Sequence, residues 1–288
     1  MAPALKVRIF NFFRSIFKLA YLESGLARLT NEKPTCYIFC KLVPNPYQYN
    51  KPSFRHTTRH GIRITVDLSD YVGHYYFFGF KDLSHKRLFE ICKEDFNVLD
   101  IGANIGFTVL KLAQLVKNGK VIGFEPDPYN YSACINNLKQ NNFDNSEVLN
   151  LGLGSEEAIL DMEVRTPSNR GGNRISTSLN KDGIKIQVKK LDGLFPALDM
   201  DHLDLIKIDV EGYELRVLKG SEEILKKYKP ILFIELDNDN LMDQGDSAQA
   251  LIDFLTQLGY KSIYNAETNQ PLEASMDFSH CHYDIIAQ

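Results

Sequence analysis

The sequence predicts an α/β fold built on a doubly wound, mostly parallel sheet with helices on both faces. From residue 97 onward, short apolar runs alternate with helical patterns, which is typical of repeated strand–helix units. A glycine-rich turn follows the first of these strands at residues 102–106, and an acidic residue, Glu125, ends the next strand. Because ligands of such sheets bind outside the carboxyl ends of the strands, both features mark a candidate binding edge.

Composition narrows the function classes before any motif is considered. The chain has 288 residues, 44% of them apolar and 24% charged, which is ordinary for a globular protein of one or two domains. Lys and Arg total 33 against 37 Asp and Glu, and this net charge of −4 predicts no nucleic-acid partner. Five scattered cysteines are too few for a disulfide scaffold, so we expect reduced thiols and a cytoplasmic location.

The first 22 residues predict an amphipathic helix of basic character. Apolar residues recur at helical spacing, at Leu5, Ile9, Phe12, Phe13, Ile16 and Leu19. The basic residues of the same stretch, which holds no acidic residue, are Lys6, Arg8, Arg14 and Lys18. Three interpretations stay open: peripheral contact of residues 5–22 with an anionic membrane surface, organelle targeting, or packing on the domain or a partner subunit. The apolar run is too short to predict a transmembrane helix.

Two domains are predicted, with a boundary near residue 55. Residues 1–55 comprise the N-terminal helix and a proline-bearing connecting segment, and residues 56–288 form the main domain. At the start of the main domain, apolar runs at 62–66 and 75–80 predict a hairpin, and residues 83–93 predict a helix.

The remaining elements follow from the alternation of strand and helix patterns. Strands are predicted at 98–101, 121–124, 148–151, 203–208, 231–236, 261–264 and 283–287, and helices at 107–116, 129–140, 213–227 and 248–258. Between residues 155 and 195 the alternation breaks, and strands at 158–164 and 184–188 flank a polar loop. Two interpretations of this loop, residues 167–178, stay open. It is a lid, with glycines as hinges and with Arg170 and Arg174 to bind an acidic substrate, or it is a solvated hairpin tip.

The first chemical motif is the turn from Asp100 to Gly106, which reads Asp-Ile-Gly-Ala-Asn-Ile-Gly. Its glycines allow a ligand to approach the backbone, but its spacing is not that of a dinucleotide-binding turn. An acid at Asp100 would repel a pyrophosphate and suits a positively charged sulfonium or amino group. Glu125 lies where a carboxylate can accept both hydroxyls of a ribose, and Pro126 ends that strand. Together these residues favour S-adenosylmethionine as the ligand.

The second motif reads Lys-Ile-Asp-Val-Glu-Gly-Tyr-Glu over residues 207–214. An apolar strand delivers Asp209 and Glu211 to the same edge as Asp100 and Glu125. Clustered carboxylates repel one another unless a cation or a hydroxyl-bearing substrate lies among them. The alternative is a solvated acidic turn that the following helix N-terminus favours.

Three segments of the chain resemble the FkbM-type S-adenosylmethionine-dependent methyltransferases: VLDIGANIGF at 98–107, FEP at 124–126 and LIKIDVEGYELRVLKG at 205–220. The resemblance covers about residues 60–288 and implies a class I methyltransferase (Rossmann-like) fold. That fold is a seven-stranded, mostly parallel sheet with one antiparallel strand near its C-terminal end; the N-terminal helical extension and the hairpin come before it. The cofactor-binding residues it implies, with their neighbours in the motifs, are Asp100, Gly102, Ala103, Asn104, Gly106, Glu125, Pro126 and Asp209.

The leading hypothesis is therefore an S-adenosylmethionine-dependent O-methyltransferase. The expected acceptor is a hydroxyl of a small molecule, a sugar or glycan, or a lipid-linked compound. Asp209 and Glu211 are predicted at the catalytic rim, because a hydroxyl acceptor needs its proton removed. No metal ligand is assigned. Two other classes stay open: a nicotinamide-dependent oxidoreductase on a similar fold, and a non-catalytic protein that binds a membrane surface.

Overall fold

The computed structural model describes residues 5–164, 166, 169–176 and 183–288, without the side chains of residues 5, 6 and 8. It forms two compact units, one of Met1–Asp82 with Thr166–Gly171 and one of Leu83–Arg165 with Gly172–Gln288. The predicted lid at 167–178 lies partly outside the described residues, at 167–168 and 177–178. The sequence boundary near residue 55 stays a prediction, although the hairpin of residues 54–67 groups here with the N-terminal helices.

The first unit joins helices to a two-stranded hairpin. Its elements are α1 (Leu5–Ile16), α2 (Ala20–Thr30), β1 (Phe54–Arg59), β2 (Ile62–Asp67) and α3 (Tyr71–Phe78). Strands β1 and β2 pair antiparallel, and β2 buries Ile62, Ile64 and Val66 on one face. The buried carboxylate of Glu23 on α2 accepts a 2.6 Å hydrogen bond from Arg55 on β1, which ties the helix to the hairpin.

The hairpin predicted from the apolar runs at 62–66 and 75–80 is wrong in its second strand. Residues 71–78 form α3 instead, because the side chain of Asp70 accepts hydrogen bonds from the N–H groups of Val72 and Gly73. Gly79 then ends the helix in the left-handed conformation, with φ of +63°. The true partner, β1, is mostly polar, so it lacks the apolar alternation by which strands are found.

The second unit carries the remaining elements in the predicted alternation. They are α4 (Leu83–Ile91), β3 (Val98–Ile101), α5 (Phe107–Leu115), β4 (Val121–Phe124), α6 (Pro128–Lys139), β5 (Ser146–Leu149), β6 (Gly152–Leu153), β7 (Ala158–Glu163), β8 (Arg174–Ile175), β9 (Ile184–Lys189), α7 (Leu191–Leu194), β10 (Leu205–Ile208), α8 (Glu214–Lys219), α9 (Glu222–Tyr228), β11 (Ile231–Asp237), α10 (Asn238–Asp243), α11 (Ala248–Gln257), β12 (Ile263–Asn265) and β13 (His282–Ala287).

The main sheet has seven strands in the order β12-β13-β11-β10-β3-β4-β5. Only β13 runs antiparallel to its neighbours among these strands, so the predicted fold class is confirmed. From β3 the chain moves to β4 and β5 on one side, and later to β10 and β11 on the other. The crevice between the carboxyl ends of β3 and β10 is therefore the topological switch point, where such sheets bind ligands.

Both faces of this sheet are covered, so its central strands are almost continuously apolar. Leu99 and Ile101 of β3 pack into one core cluster, whereas Val98 packs into the cluster on the opposite face. Two charged residues break the pattern, because Asp100 on β3 and Lys207 on β10 are both buried in strands that are otherwise apolar.

The helix predicted over 213–227 is wrong as a single element, since α8 ends at Lys219 and α9 begins at Glu222. A Cβ on Gly220 would lie 1.9 Å from the carbonyl oxygen of Gly154. Gly154 follows β6, a strand of the small second sheet β6-β9-β7-β8. The break is thus set by a close backbone approach between segments far apart in sequence.

Replacing Gly220 with Ala is expected to destabilise the protein by about 1–3 kcal/mol, because the new methyl group must displace the backbone at Gly154. Thermal unfolding followed by circular dichroism measures the effect. Gly193→Ala is the matched control, since its Cβ would meet only the Glu157 carboxylate, at 3.7 Å. Equal unfolding temperatures for the two variants would contradict the close-approach explanation.

Candidate functional site

Side chains from neighbouring strands meet in two rows at the carboxyl edge of the main sheet. In the inner row, Lys207 on β10 lies opposite Asp100 on β3. Because side chains alternate along a strand, residues two positions further along point to the same face. By the same register, the outer row places Glu235 on β11 next to Asp209 after β10, and Glu125 after β4 lies beyond Gly102, which follows β3.

The buried ammonium group of Lys207 connects the two rows. Its Nζ lies 3.3 Å from Oδ1 of Asp100 and 3.2 Å from Oδ2 of Asp209, and it donates a 3.0 Å hydrogen bond to the carbonyl of Gly102. Burial opposes its positive charge, but the two carboxylates outweigh burial and raise the pKa of Lys207 above its ordinary value. Burial raises the pKa of Asp100, and Lys207 partly offsets that shift.

The turn after β3 has a backbone that only glycine adopts easily at two positions. Gly102 and Gly106 both have φ of +89°. A Cβ on Gly102 would lie 1.9 Å from the carbonyl oxygen of Asp209, and a Cβ on Gly106 would lie 2.5 Å from Sγ of Cys134. At Gly102 the turn therefore packs closely against the segment after β10, and at Gly106 it packs closely against α6.

Glu125 supports the same turn from the end of β4. Its side chain is buried, and its two oxygens accept hydrogen bonds from the backbone N–H groups of Asn104, at 2.7 Å, and Asp127, at 2.9 Å. Burial raises the pKa of Glu125 to about 7 in spite of these bonds. A carboxylate has about four lone-pair positions, so two remain to accept hydroxyl donors from a ligand.

A cluster of three carboxyl groups, which we call the acidic triad, consists of Asp209, Glu211 and Glu235. One oxygen from each lies within 4.8 Å of the others. Burial, reinforced by neighbouring carboxylates, raises the pKa of Glu211 to about 8 and that of Glu235 to about 11. Glu235 therefore keeps its proton at neutral pH, and Glu211 is mostly protonated there. The oxygen ligands of the triad have the type and spacing to hold one hard divalent cation as well.

Neighbouring groups hold the acidic triad in place. Glu211 has φ of +55°, and its carboxylate accepts a 2.9 Å hydrogen bond from Nδ2 of Asn240. The buried carboxyl group of Glu214 accepts hydrogen bonds from the N–H groups of Val210 and Gly212, which fixes the turn that carries Glu211. Asp237 caps α10 and lies 2.6 Å from Nδ1 of His282.

The sequence-predicted site residues converge at this edge. They are the turn residues Gly102, Ala103, Asn104 and Gly106, the pair Glu125 and Pro126, and the acids Asp209 and Glu211. Asp100 is fully buried behind Lys207, so its predicted contact with a ligand stays a prediction. Arg174 of the predicted lid forms an ion pair with Asp243.

Two residues that hold this edge together are not predicted from the sequence. Lys207 enters the sequence analysis only as part of a motif, although a lysine inside an apolar strand and two positions before an acid is itself a signal of a buried ion pair. The structural role of Glu214 leaves no such trace, because its partners are backbone groups of the preceding turn.

Comparison with known proteins assigns the family. The model of the methyltransferase FkbM domain matches residues 100–262, which is more than half of the chain and includes the glycine turn, Glu125 and the acidic triad. The chain belongs to the FkbM methyltransferase family. The FkbM resemblance in the sequence is thereby confirmed, and family membership decides for a methyltransferase over a nicotinamide-dependent oxidoreductase.

Several relatives of this FkbM protein carry functional names. The 2-O-methyltransferase NoeI of Sinorhizobium fredii is 25% identical over 190 residues, which cover 59% of this chain and 76% of NoeI. The hexuronic acid methyltransferase AglP of Haloferax volcanii is 29% identical over 142 residues, which cover 49% of this chain and 56% of AglP.

Among solved structures, a methyltransferase FkbM from Methylobacillus flagellatus aligns with 21% identity and a TM-score of 0.45. The alignment covers 68% of this chain and 44% of that one, so this chain spans less than half of the length of that protein.

The methyl donor of this FkbM methyltransferase is S-adenosylmethionine. The residues at the carboxyl edge fit that cofactor. Gly102 and Gly106 keep the turn free of side chains, Glu125 has acceptor positions for hydroxyl groups, and the carboxylate of Asp209 suits a positively charged sulfonium.

Glu235→Gln is expected to raise the unfolding temperature at about pH 9, with a gain that shrinks toward about pH 5. The pKa of Glu235 is raised from 4.5 to about 11, so the folded protein keeps a proton that the unfolded chain releases. The resulting stabilisation is fully present below pH 4.5 and is lost as the pH rises toward 11. Glutamine stays neutral over the whole pH range.

Thermal unfolding scans between about pH 5 and pH 9 measure the difference in unfolding temperature. Glu273→Gln, at an exposed carboxyl group, is the control, and parallel pH profiles for wild type and Glu235→Gln would contradict the assignment.

Proposed function

We propose that this FkbM protein transfers the methyl group of S-adenosylmethionine to a hydroxyl oxygen of a sugar-like acceptor, free or within a glycan or lipid-linked compound. The observation that carries the proposal is the acidic triad beside the glycine turn, with Glu211 at a pKa of about 8. Carboxyl groups are good partners for sugar hydroxyls, since they accept and, when protonated, donate hydrogen bonds. The names of NoeI and AglP, a 2-O-methyltransferase and a hexuronic acid methyltransferase, support this acceptor class.

The cofactor half of the proposed site consists of the glycine turn and Glu125. Gly102 and Gly106 let the cofactor lie against the backbone, and Glu125 accepts hydrogen bonds from its ribose hydroxyls. Asp209, at the switch-point crevice, lies toward the methionine end. When bound, S-adenosylmethionine supplies an electrophilic methyl group on a sulfonium. The protein must then align an acceptor oxygen with that methyl group.

The acceptor half of the proposed site is the acidic triad. The acceptor hydroxyl must lose its proton as its oxygen forms the new bond to carbon. Glu211 in its ionised form takes that proton, and a pKa of about 8 leaves it a useful ionised fraction near neutral pH. Glu235, whose pKa is about 11, stays protonated and donates a hydrogen bond that orients the acceptor.

Glu125→Ala is expected to weaken the binding of S-adenosylhomocysteine by about tenfold to a hundredfold, because the ribose hydroxyls lose their hydrogen-bond acceptor and the turn loses the carboxyl group that supports it. Isothermal titration calorimetry of the purified protein measures the change. Glu147→Gln on the neighbouring strand β5 is the control, since that carboxyl group is exposed. An unchanged affinity in a folded Glu125→Ala protein would refute the ribose-binding role.

Glu211→Gln is expected to lower kcat by about a hundredfold or more, because glutamine cannot take a proton. In the wild type, kcat/KM is expected to rise with pH and to level off above about 8, as Glu211 ionises. The variant loses that inflection. Transfer of labelled methyl from S-adenosylmethionine to a panel of hexose and hexuronic acid glycosides provides the assay.

Asp239→Asn, at an exposed acid on α10, is the control for this series. It is expected to keep both the rate and the pH profile of the wild type. A Glu211→Gln protein with an unchanged inflection would assign the proton transfer to another group. Absence of transfer to every glycoside, with normal cofactor binding, would refute the sugar-like acceptor.

A further inference from the structure

The N-terminal helix α1 is attached to the first unit through its polar side. Nδ2 of Asn11 donates a 3.0 Å hydrogen bond to the hydroxyl of Tyr47, and the Nε2 group of Gln48 donates a 2.9 Å bond to the carbonyl of Asn11. One turn further along the helix, Nε of Arg14 donates a 2.8 Å bond to the carbonyl of Lys41. These contacts hold the side of α1 that carries Asn11 and Arg14 against the protein, although Val7 and Phe10 near that side are also exposed, by 43% and 60%.

The apolar side of α1 consequently faces outward. We call this side the apolar stripe; it comprises Ile9, Phe12, Phe13 and Ile16, exposed by 49%, 69%, 53% and 44%, and Leu19 just beyond the helix, exposed by 63%. Their spacing of three and four residues places them on one helical face. A helix that packs on its own domain shows the reverse orientation, with the apolar face inward. The apolar residues of the stripe are therefore not packed on the described part of this chain, and packing on a partner subunit stays an open prediction; the side chain of Leu5 lies outside the described residues.

The segment that carries the apolar stripe is positively charged. The first 22 residues contain four basic residues and no acidic one. Arg14 and Lys18 lie on the side of the segment that faces the protein and bond there to the neutral carbonyl oxygens of Lys41 and Gln48, so these bonds leave the positive charge of the segment uncancelled. An exposed apolar face rich in phenylalanine, on a segment of net positive charge, matches the chemistry of helices that lie on anionic lipid surfaces.

The length of α1 decides how it can meet a bilayer. Its 12 residues extend for about 18 Å, whereas the hydrocarbon core of a bilayer is about 30 Å thick. None of the helices in the described part of the chain has the length and apolarity needed to cross a membrane. Contact with lipid must therefore be parallel to the surface.

We propose that α1 and the turn up to Leu19 form a peripheral membrane-binding surface, which inserts the apolar stripe between the headgroups of a bilayer that contains anionic lipids. The surface belongs to the first unit, whereas the glycine turn and the acidic triad belong to the second. The proposal is therefore independent of the acceptor class and of the methyl-transfer chemistry.

Co-sedimentation of the full-length protein with vesicles tests the proposal. The wild type is expected to bind vesicles of phosphatidylcholine mixed with phosphatidylserine, and to bind phosphatidylcholine alone much more weakly. The double variant Phe12→Ser, Phe13→Ser is expected to lower the partition coefficient on mixed vesicles at least about tenfold, because two inserting rings are lost. Both rings are more than half exposed, so the variant is expected to fold.

Ile159→Ser is the matched control, since Ile159 on β7 is an exposed apolar residue outside α1. It is expected to bind mixed vesicles like the wild type. Equal binding by the wild type and the double phenylalanine variant, or no binding to mixed vesicles, would overturn the proposal.

Sedimentation velocity tests whether a second copy of the chain covers the apolar stripe instead of lipid. A wild-type dimer that the double variant loses, without vesicle binding, would show that the stripe contacts a second copy of the chain.

Discussion

The ammonium group of Lys207 is the interaction on which the carboxyl edge of the sheet depends. Two carboxylates, Asp100 and Asp209, lie within ion-pair distance of it, and the carbonyl oxygen of Gly102 accepts a hydrogen bond from it. Without this cation, the buried Asp100 on β3 would lose the charge that offsets burial, and its pKa would rise further. Removal of one partner from such a buried pair generally costs about 3–5 kcal/mol. The lysine thus fixes the distance between the glycine turn and the segment after β10.

A second, steric constraint acts between the same two segments, the glycine turn and the segment after β10. The absent side chain of Gly102 lets the turn approach the carbonyl of Asp209 more closely than any other residue would permit. The ion pair and the close approach reinforce each other across the topological switch point. One side of this junction carries the turn supported by Glu125, and the other carries the acidic triad. In the function that we propose, the junction sets the distance between cofactor and acceptor.

The sequence predicts an element correctly where the residues that determine the element are neighbours in the chain, and it fails where they are far apart. Strands β3 and β4 have the predicted bounds, because each is an apolar run closed by turn residues. The glycine turn, Glu125 and the acids after β10 lie at the carboxyl edge of the sheet, as their contiguous motifs predict; their roles in binding and catalysis stay predictions. The sequence predicts the wrong partner for β2, because the actual partner strand, β1, is mostly polar. It predicts one unbroken helix over 213–227, because the cause of the break, the carbonyl of Gly154, is about 65 residues away.

The α/β class, the family and the residues at the carboxyl edge of the sheet can be predicted from the sequence, because periodicity and contiguous motifs depend on neighbouring positions. Which charges are paired and which way a helix faces depends on the tertiary structure. Burial turns Glu211 and Glu235 from ordinary acids into proton-holding groups, and it makes Lys207 a bridge. The polar contacts of Asn11 and Arg14 turn the apolar stripe of α1 outward. These outcomes depend on desolvation and on contacts between distant segments, which no local pattern contains.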